Sequence, residues 1–358
     1  MNQLSKRRFY PGIEALKGLL ILQVVLTHTL GDNNLRFLLY NYHMPLFLAI
    51  SGFLINREKL INFSMRGLIN KYNLRMLTPW LIAFIGYNLM IYHQEMVHLI
   101  NNWPALIAKI VYPYYHLWFV PALLFMIIIL WAVERFNVRP IWVISISLFI
   151  TSAWFVYFRW RDTELMETSQ FYFYLGDKRL IFYFFFFYLS YYLKHYREDL
   201  LQRISFEKLV LLIALIAIPL VFTNYMDNGS LRSWVYASTY ISFNIAIVYF
   251  SLSYLIHIKV SSKVLSFSSR YSLPIYLYHY ALAVPIGTIV ASMFNLPDLL
   301  QSFLVTLVTC AILLPLIKVL SSIRFIDLYL FGNVERLNEA RPQSTKDITI
   351  KRPIEAHY

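Results

Sequence analysis

Cysteine is almost missing from this 358-residue chain: Cys310 stands alone, inside an apolar run, so no disulfide framework is available. Glycine is sparse too. The ten glycines are scattered, which excludes a glycine-rich phosphate loop, and no G-x-S-x-G elbow presents a nucleophilic serine. Charged side chains make up only 14% of the residues, with 19 acids against 32 Lys and Arg. No internal repeat is visible, which withholds support from a transporter built on inverted repeats. His93 and His98 are five apart, a poor spacing for two ligands on one helix, so no metal site is expected.

Apolar residues fill the space. They are 59% of the chain, and the mean hydropathy is +0.54. Runs near 20 residues recur, and they are continuous rather than alternating, which favours helices over a barrel. The expectation is an all-α, polytopic membrane bundle of about ten transmembrane helices: 13–31, 37–56, 76–93, 117–133, 140–158, 180–194, 208–223, 233–257, 272–292 and 299–321. Segment 102–112 is apolar but short, and reads as a partial insertion. Residues 1–325 form one membrane domain, and 326–358 a short polar cytoplasmic tail. The basic start (Lys6, Arg7, Arg8) resembles a signal peptide, but the run after it is too long, holds Glu14 and Lys17 and lacks a cleavage site. It reads as a retained first span.

The net charge of +13 points to a membrane surface rather than nucleic acid, since no basic domain stands apart from the spans. With the N-terminus inside, 24 of the 32 Lys and Arg fall on inner segments or their edges, as the positive-inside rule requires. Both termini are then cytoplasmic. The most basic inner loop, 57–75, carries Arg57, Lys59, Arg66, Lys71 and Arg75 against Glu58. Topology signalling explains it; so does a clamp for a phosphorylated cytosolic ligand. Phe171–Tyr196 holds 14 aromatic residues and reads as an interfacial belt running into a span rather than a sugar-stacking surface.

Three ionisable residues sit in or beside the first span: Glu14, Lys17 and His28. Charge at membrane depth is costly and faces a protein interior or a wet cavity. At about 100° per residue, Lys17 and His28 point within roughly 20° of one direction, and they lie about 16 Å apart along the axis. Glu14, three residues earlier, shares that stripe. One helix face thus carries an acid–base pair at one end and an imidazole at the other.

Other imidazoles fall in apolar context. His43 opens the second span at the depth of His28, and Asp32, four residues after His28, is placed to orient its ring and raise its basicity. His116 precedes the fourth span and His279 lies within the ninth. Each alone reads as a packing histidine, but two at one depth above a charged stripe raise the case for chemistry. Ser51-Gly52 has no adjacent base and reads as a small pair for close helix approach.

Together these residues resemble the acyltransferase-3 family of integral membrane acyltransferases, especially the branch similar to fucose 4-O-acetylases and other surface-polysaccharide O-acetyltransferases. The first-span pattern of a basic residue, ten residues and a histidine reads Lys17-GLLILQVVLT-His28. Similar stretches are His43-MPLFLAISGFL, Lys71-Tyr-Asn-Leu-Arg75 before Pro79, His116-LWFVPALL and Ser272-LPIYLYHY. The basic position is Lys17 where many members have arginine, and the arginine-x-x-arginine motif of some members survives only as Lys71 and Arg75. The resemblance implies transfer of acetyl from acetyl-CoA to a sugar hydroxyl of a lipid-linked or polymeric glycan, in a bacterial inner membrane. It implies Arg66, Lys71, Arg75 and Lys17 as contacts for coenzyme A, and His28 as general base or acyl relay. Lys17, Glu14, Asp32 and His43 would assist, and His116, Trp118, Tyr276 and His279 would meet the acceptor. The second reading is a transporter or flippase for a lipid-linked glycan, which buried ionisable groups fit equally well.

Overall fold

The computed structural model describes residues 9–90, 116–161, 178–202, 205–226, 230–260 and 262–334, with a few single positions between these ranges. Among the described residues every regular element is a helix: α1 (Pro11–Thr29), α2 (Asn34–Phe53), α3 (Arg57–Ile61), α4 (Met65–Tyr72), α5 (Thr78–Met90), α6 (Phe119–Arg135), α7 (Pro140–Ala153), α8 (Arg179–Tyr196), α9 (Phe206–Phe222), α10 (Ser230–Leu255), α11 (Lys263–Arg270), α12 (Ser272–Met293), α13 (Asp298–Leu320) and α14 (Arg324–Tyr329). A helix overlies each of the ten apolar segments. Among the described residues, five helical stretches are long and apolar enough to cross a membrane: Pro11–Thr29, Pro140–Phe158, Leu231–Leu255, Ser272–Met293 and Asp298–Leu320. His93, His98 and, apart from Pro104 and Ile107, segment 102–112 lie outside the described residues.

The starts of the helices follow local chemistry. Pro11 and Pro140 open α1 and α7, where their missing N–H costs no helical bond. The side chains of Asn33, Ser64, Ser205 and Ser262 each accept a first-turn N–H of α2, α4, α9 and α11. Between α4 and α5 the chain makes a π-turn, Asn73–Leu77, in which the Thr78 N–H reaches back to the Asn73 carbonyl. Pro79 accounts for it. With no N–H to offer the Arg75 carbonyl, Pro79 forces a register change within the turn before it.

α1 lies inside the bundle, packed against α2, α10, α11, α12 and α13. Its approach to α11 depends on Gly18: a Cβ there would stand 2.1 Å from the Leu265 carbonyl oxygen, so only glycine lets the two backbones touch. The Ser51-Gly52 pair does the same for α2 and α8. A Cβ on Gly52 would lie 2.1 Å from the Phe187 carbonyl oxygen. One turn away on the facing helix, Ser190 Oγ donates to the Ala49 carbonyl.

At the Arg57 end of α6 and α8 a buried carboxylate ties three elements together. Glu134 is 3% exposed, accepts from Arg57 Nε at 2.8 Å and from the Tyr196 hydroxyl at 2.8 Å, and Arg57 covers the Tyr196 ring. Residues 326–334, counted with the polar tail from sequence, begin inside α14. This helix folds back on the bundle, because Phe331 is buried there and the Tyr278 hydroxyl donates to the Leu330 carbonyl at 3.3 Å. Residues 335–358 are outside the described part.

The outward surface is apolar. Leu299, Leu300, Phe303, Leu307, Ile312, Leu316 and Val319 of α13 are all exposed. Leaving them in water would forgo roughly 1–2 kcal/mol each. For one helix that approaches the whole 5–15 kcal/mol of a typical folded domain. Lipid, not water, is the solvent that suits this face.

Candidate active site

The two ends of α1 hold two separate polar centres. At the first, Lys17 Nζ donates to the Ser269 carbonyl at 3.0 Å, and the Ser269 hydroxyl donates to Glu14 Oε2 at 2.5 Å. Glu14 and Lys17 are therefore joined through one residue of α11, which Gly18 brings within reach. Between Lys17 and His28 the same face carries Ile21 and Val24, which are 0% and 3% exposed. The polar stripe is thus interrupted in its middle by packed aliphatic side chains.

At the second centre three imidazoles from distant parts of the chain meet. The His28 ring lies 5.1 Å from that of His279 and 6.3 Å from that of His116, and the last two are 5.6 Å apart, centroid to centroid. Tyr40 and Tyr280 stand edge-on to His28 at 6.3 and 6.1 Å, and Tyr280 stacks on His116 at 5.1 Å. His116 and His279 are 2% and 0% exposed, whereas His28 and both tyrosines are half-buried. Of the three, His28 is the least buried residue.

The framework that holds these rings is made of hydrogen bonds to backbone. His279 Nδ1 donates to the carbonyls of Tyr276 at 2.8 Å and Ile275 at 3.0 Å, which leaves Nε2 as a bare lone pair, buried and without a partner. His116 hydrogen-bonds the Leu277 backbone, and its Nε2 is likewise buried and unpartnered. The turn before α6 that carries His116 is anchored on both sides. Trp80 Nε1 donates to the Leu117 carbonyl at 2.8 Å, and the Phe119 N–H donates to the Tyr276 hydroxyl at 3.1 Å. The Tyr87 ring packs edge-on against His116 at 4.8 Å, while its hydroxyl donates to the Leu277 carbonyl.

His43 reaches this centre indirectly. Its Nδ1 donates to the Leu39 carbonyl at 2.5 Å, and its ring packs on Tyr40, which in turn faces His28. Trp118 is buried beside Phe119 and Tyr183 with the Arg179 guanidinium 4.1 Å from its ring. Asp32 stands apart, and here the expectation of an Asp–His pair fails. α1 stops at Thr29, so the four-residue helical spacing from His28 no longer applies, and Asp32 is 98% exposed and bonded to Arg36 at 2.5 Å.

The basic loop becomes α4 and the π-turn. Arg66 and Arg75 are exposed, and Lys71 lies over the rings of Phe63 and Tyr72 at 4.8 and 5.0 Å. The Arg75 carbonyl faces Gly332, which also abuts Leu273. Lys17 is bonded at Ser269, so the π-turn and the Glu14–Lys17 centre border the same short stretch, 269–273. Sequence reasoning missed Ser269, Tyr40, Tyr87 and Tyr280. The Tyr276-Leu277-Tyr278-His279-Tyr280 run was the one available signal for Tyr280. Among the described residues no group of His, Cys, Asp and Glu side chains is arranged to hold a metal ion.

An all-helical bundle with lipid-suited faces, in which buried imidazoles converge beside a half-buried histidine, is that of a multi-pass membrane protein. A family model described as "Acyltransferase domain" matches residues 10–318, and the chain belongs to this acyltransferase-3 family: it is a membrane acyltransferase. Neither the curated proteins nor the solved structures gave a match.

Proposed function

We propose that this acyltransferase moves acetyl from acetyl-CoA to a sugar hydroxyl of a lipid-linked or surface glycan, with His28 as general base or acyl relay. The observation that carries this reading is the convergence of His28, His116 and His279. It provides a half-buried imidazole flanked by two buried ring nitrogens without partners, at the end of α1 opposite Lys17. Ten spans with both termini in the cytosol, in the cell inner membrane, would set the Glu14–Lys17 centre on the cytosolic side. Coenzyme A, a polyanion, would then meet Arg66, Lys71, Arg75 and Lys17 as it enters. His28 would lie toward the outer side, where the hydroxyl of a surface glycan arrives.

The test is mass spectrometry of envelope glycans from a deletion strain complemented with the wild type or with His28→Ala. General-base help is worth about 10²–10⁴ in rate. The expected result is a glycan lighter by one acetyl per repeat in the deletion strain, restored by the wild type and not by His28→Ala at equal membrane abundance. Normal acylation by His28→Ala would remove His28 from the mechanism. Loss of surface glycan altogether in the deletion strain would favour the lipid-linked glycan transporter.

A further inference from the structure

We infer that Trp131 is a positioning residue for the acyl donor, acting through Phe63 to hold the Lys71 ammonium where the phosphates of coenzyme A arrive. This rests on Lys71 being a donor contact, as proposed above. The basic segment 57–75 docks on the Arg57 end of α6, which packs against both α3 and the π-turn. Two side chains of α6, three residues apart and so on one face, bracket α3. Glu134 takes Arg57 at its start. Trp131 Nε1 donates to the carbonyl of Phe63, just past its end, at 2.8 Å.

The two bonds serve different ends. The Glu134 carboxylate neutralises Arg57. Trp131 instead fixes Phe63, whose ring centroid lies 4.8 Å from the Lys71 ammonium, with the Tyr72 ring at 5.0 Å from the same nitrogen. An aromatic face attracts an ammonium without cancelling its charge, so the cation still acts on an anion. A lysine stem is flexible, and ordering it on binding costs affinity. A cation placed in advance loses less, so the donor binds more tightly. Phe63 is half-buried, in the short link between α3 and α4, and the indole N–H is the bond made to its carbonyl from outside this segment. Phenylalanine in place of Trp131 would keep an aromatic ring and lose that N–H.

The test uses full-length protein in detergent, with radiolabelled acetyl-CoA varied and envelope glycan from the deletion strain held at saturation. Trp131→Phe removes the N–H, Phe63→Leu removes the ring, and Phe63→Tyr keeps it. Each is made with and without Lys71→Met. The expected result is that Lys71→Met raises KM for acetyl-CoA about tenfold or more, with kcat within about threefold in every variant. Trp131→Phe and Phe63→Leu should raise KM about three- to tenfold, and Phe63→Tyr less than about twofold. On the Lys71→Met background Trp131→Phe and Phe63→Leu should add less than about twofold, because the cation they position is gone. A residue that only supports the fold would lower Tm and kcat, and its effect would multiply with that of Lys71→Met. If Trp131→Phe leaves KM within about twofold, or changes it equally with and without Lys71, the inference is overturned. If Lys71→Met leaves KM unchanged in an enzyme that still acetylates, the donor contact proposed above is what fails, and the role of Trp131 falls with it.

Discussion

At the scale of single residues, the sharpest contrast lies between Asp32 and Lys17. Asp32 pairs with Arg36 in solvent, and an exposed ion pair is worth about 0–1 kcal/mol. Asp32→Asn should leave acetyl transfer within about threefold of the wild type, measured as initial rate at saturating acetyl-CoA. Lys17 is different, because its ammonium is bound to Ser269 beside Glu14. Lys17→Met leaves Glu14 without its neighbouring cation and should raise KM for acetyl-CoA about tenfold or more, whereas Lys17→Arg should recover most of it. That Lys17 and His28 share a face was legible in the sequence, because helical periodicity alone gives it. The end of α1 at Thr29 was not legible to that arithmetic, so Asp32 was carried one turn too far. Nor does the spacing of His116 and His279 reveal that their rings meet His28, since that depends on how α12 and the turn before α6 dock.

Helices carry the next set of expectations. The helices over the ten apolar segments followed from run length, whereas the short polar helices α3, α4, α11 and α14 did not; nor did the contacts of any of them, because lipid-facing and protein-facing apolar residues look alike in sequence. Glycine marked two of the closest approaches. Gly18→Val would drive a side chain into the Leu265 backbone, part α1 from α11 and break the Lys17–Ser269 bond. Lost expression or a fall of several degrees in Tm, with loss of activity, is expected. The Arg57–Glu134–Tyr196 junction went unseen, since Arg57 read as one more positive charge on an inner loop. Arg57 is itself 39% exposed, so removing it strands the buried Glu134 carboxylate at a cost below the about 3–5 kcal/mol of a fully buried pair, whereas replacing the buried member as well relieves it. Arg57→Ala should therefore lower Tm more than Arg57→Ala combined with Glu134→Leu, in thermal melts of the detergent-solubilised protein. Equal Tm values would mean that the carboxylate draws nothing from Arg57.

For the whole molecule, what matters is which end of α1 faces the cytosol, since the proposed coenzyme A donor would be confined there and the proposed glycan acceptor would lie opposite. Charge asymmetry argues for Lys17 inside, but the argument turns on 102–112: if that segment crosses, every later loop changes sides. The loops give a direct readout. In a Cys310→Ser background, single cysteines at Asn137, Asn295 and Ser322, all exposed, are probed in intact cells with a membrane-impermeant maleimide. Ten spans with the N-terminus inside put Asn295 outside and the other two inside. Asn295→Cys should then label at once, and Asn137→Cys and Ser322→Cys only after permeabilisation. Crossing by 102–112 gives the opposite pattern. His116 would then face the cytosol while His28, on a helix whose direction is fixed by Lys6, Arg7 and Arg8, would not. Three rings within about 6 Å of one another cannot lie on two sides of a bilayer core about 30 Å thick. The imidazole cluster and the ten-span topology therefore stand or fall together on this labelling pattern.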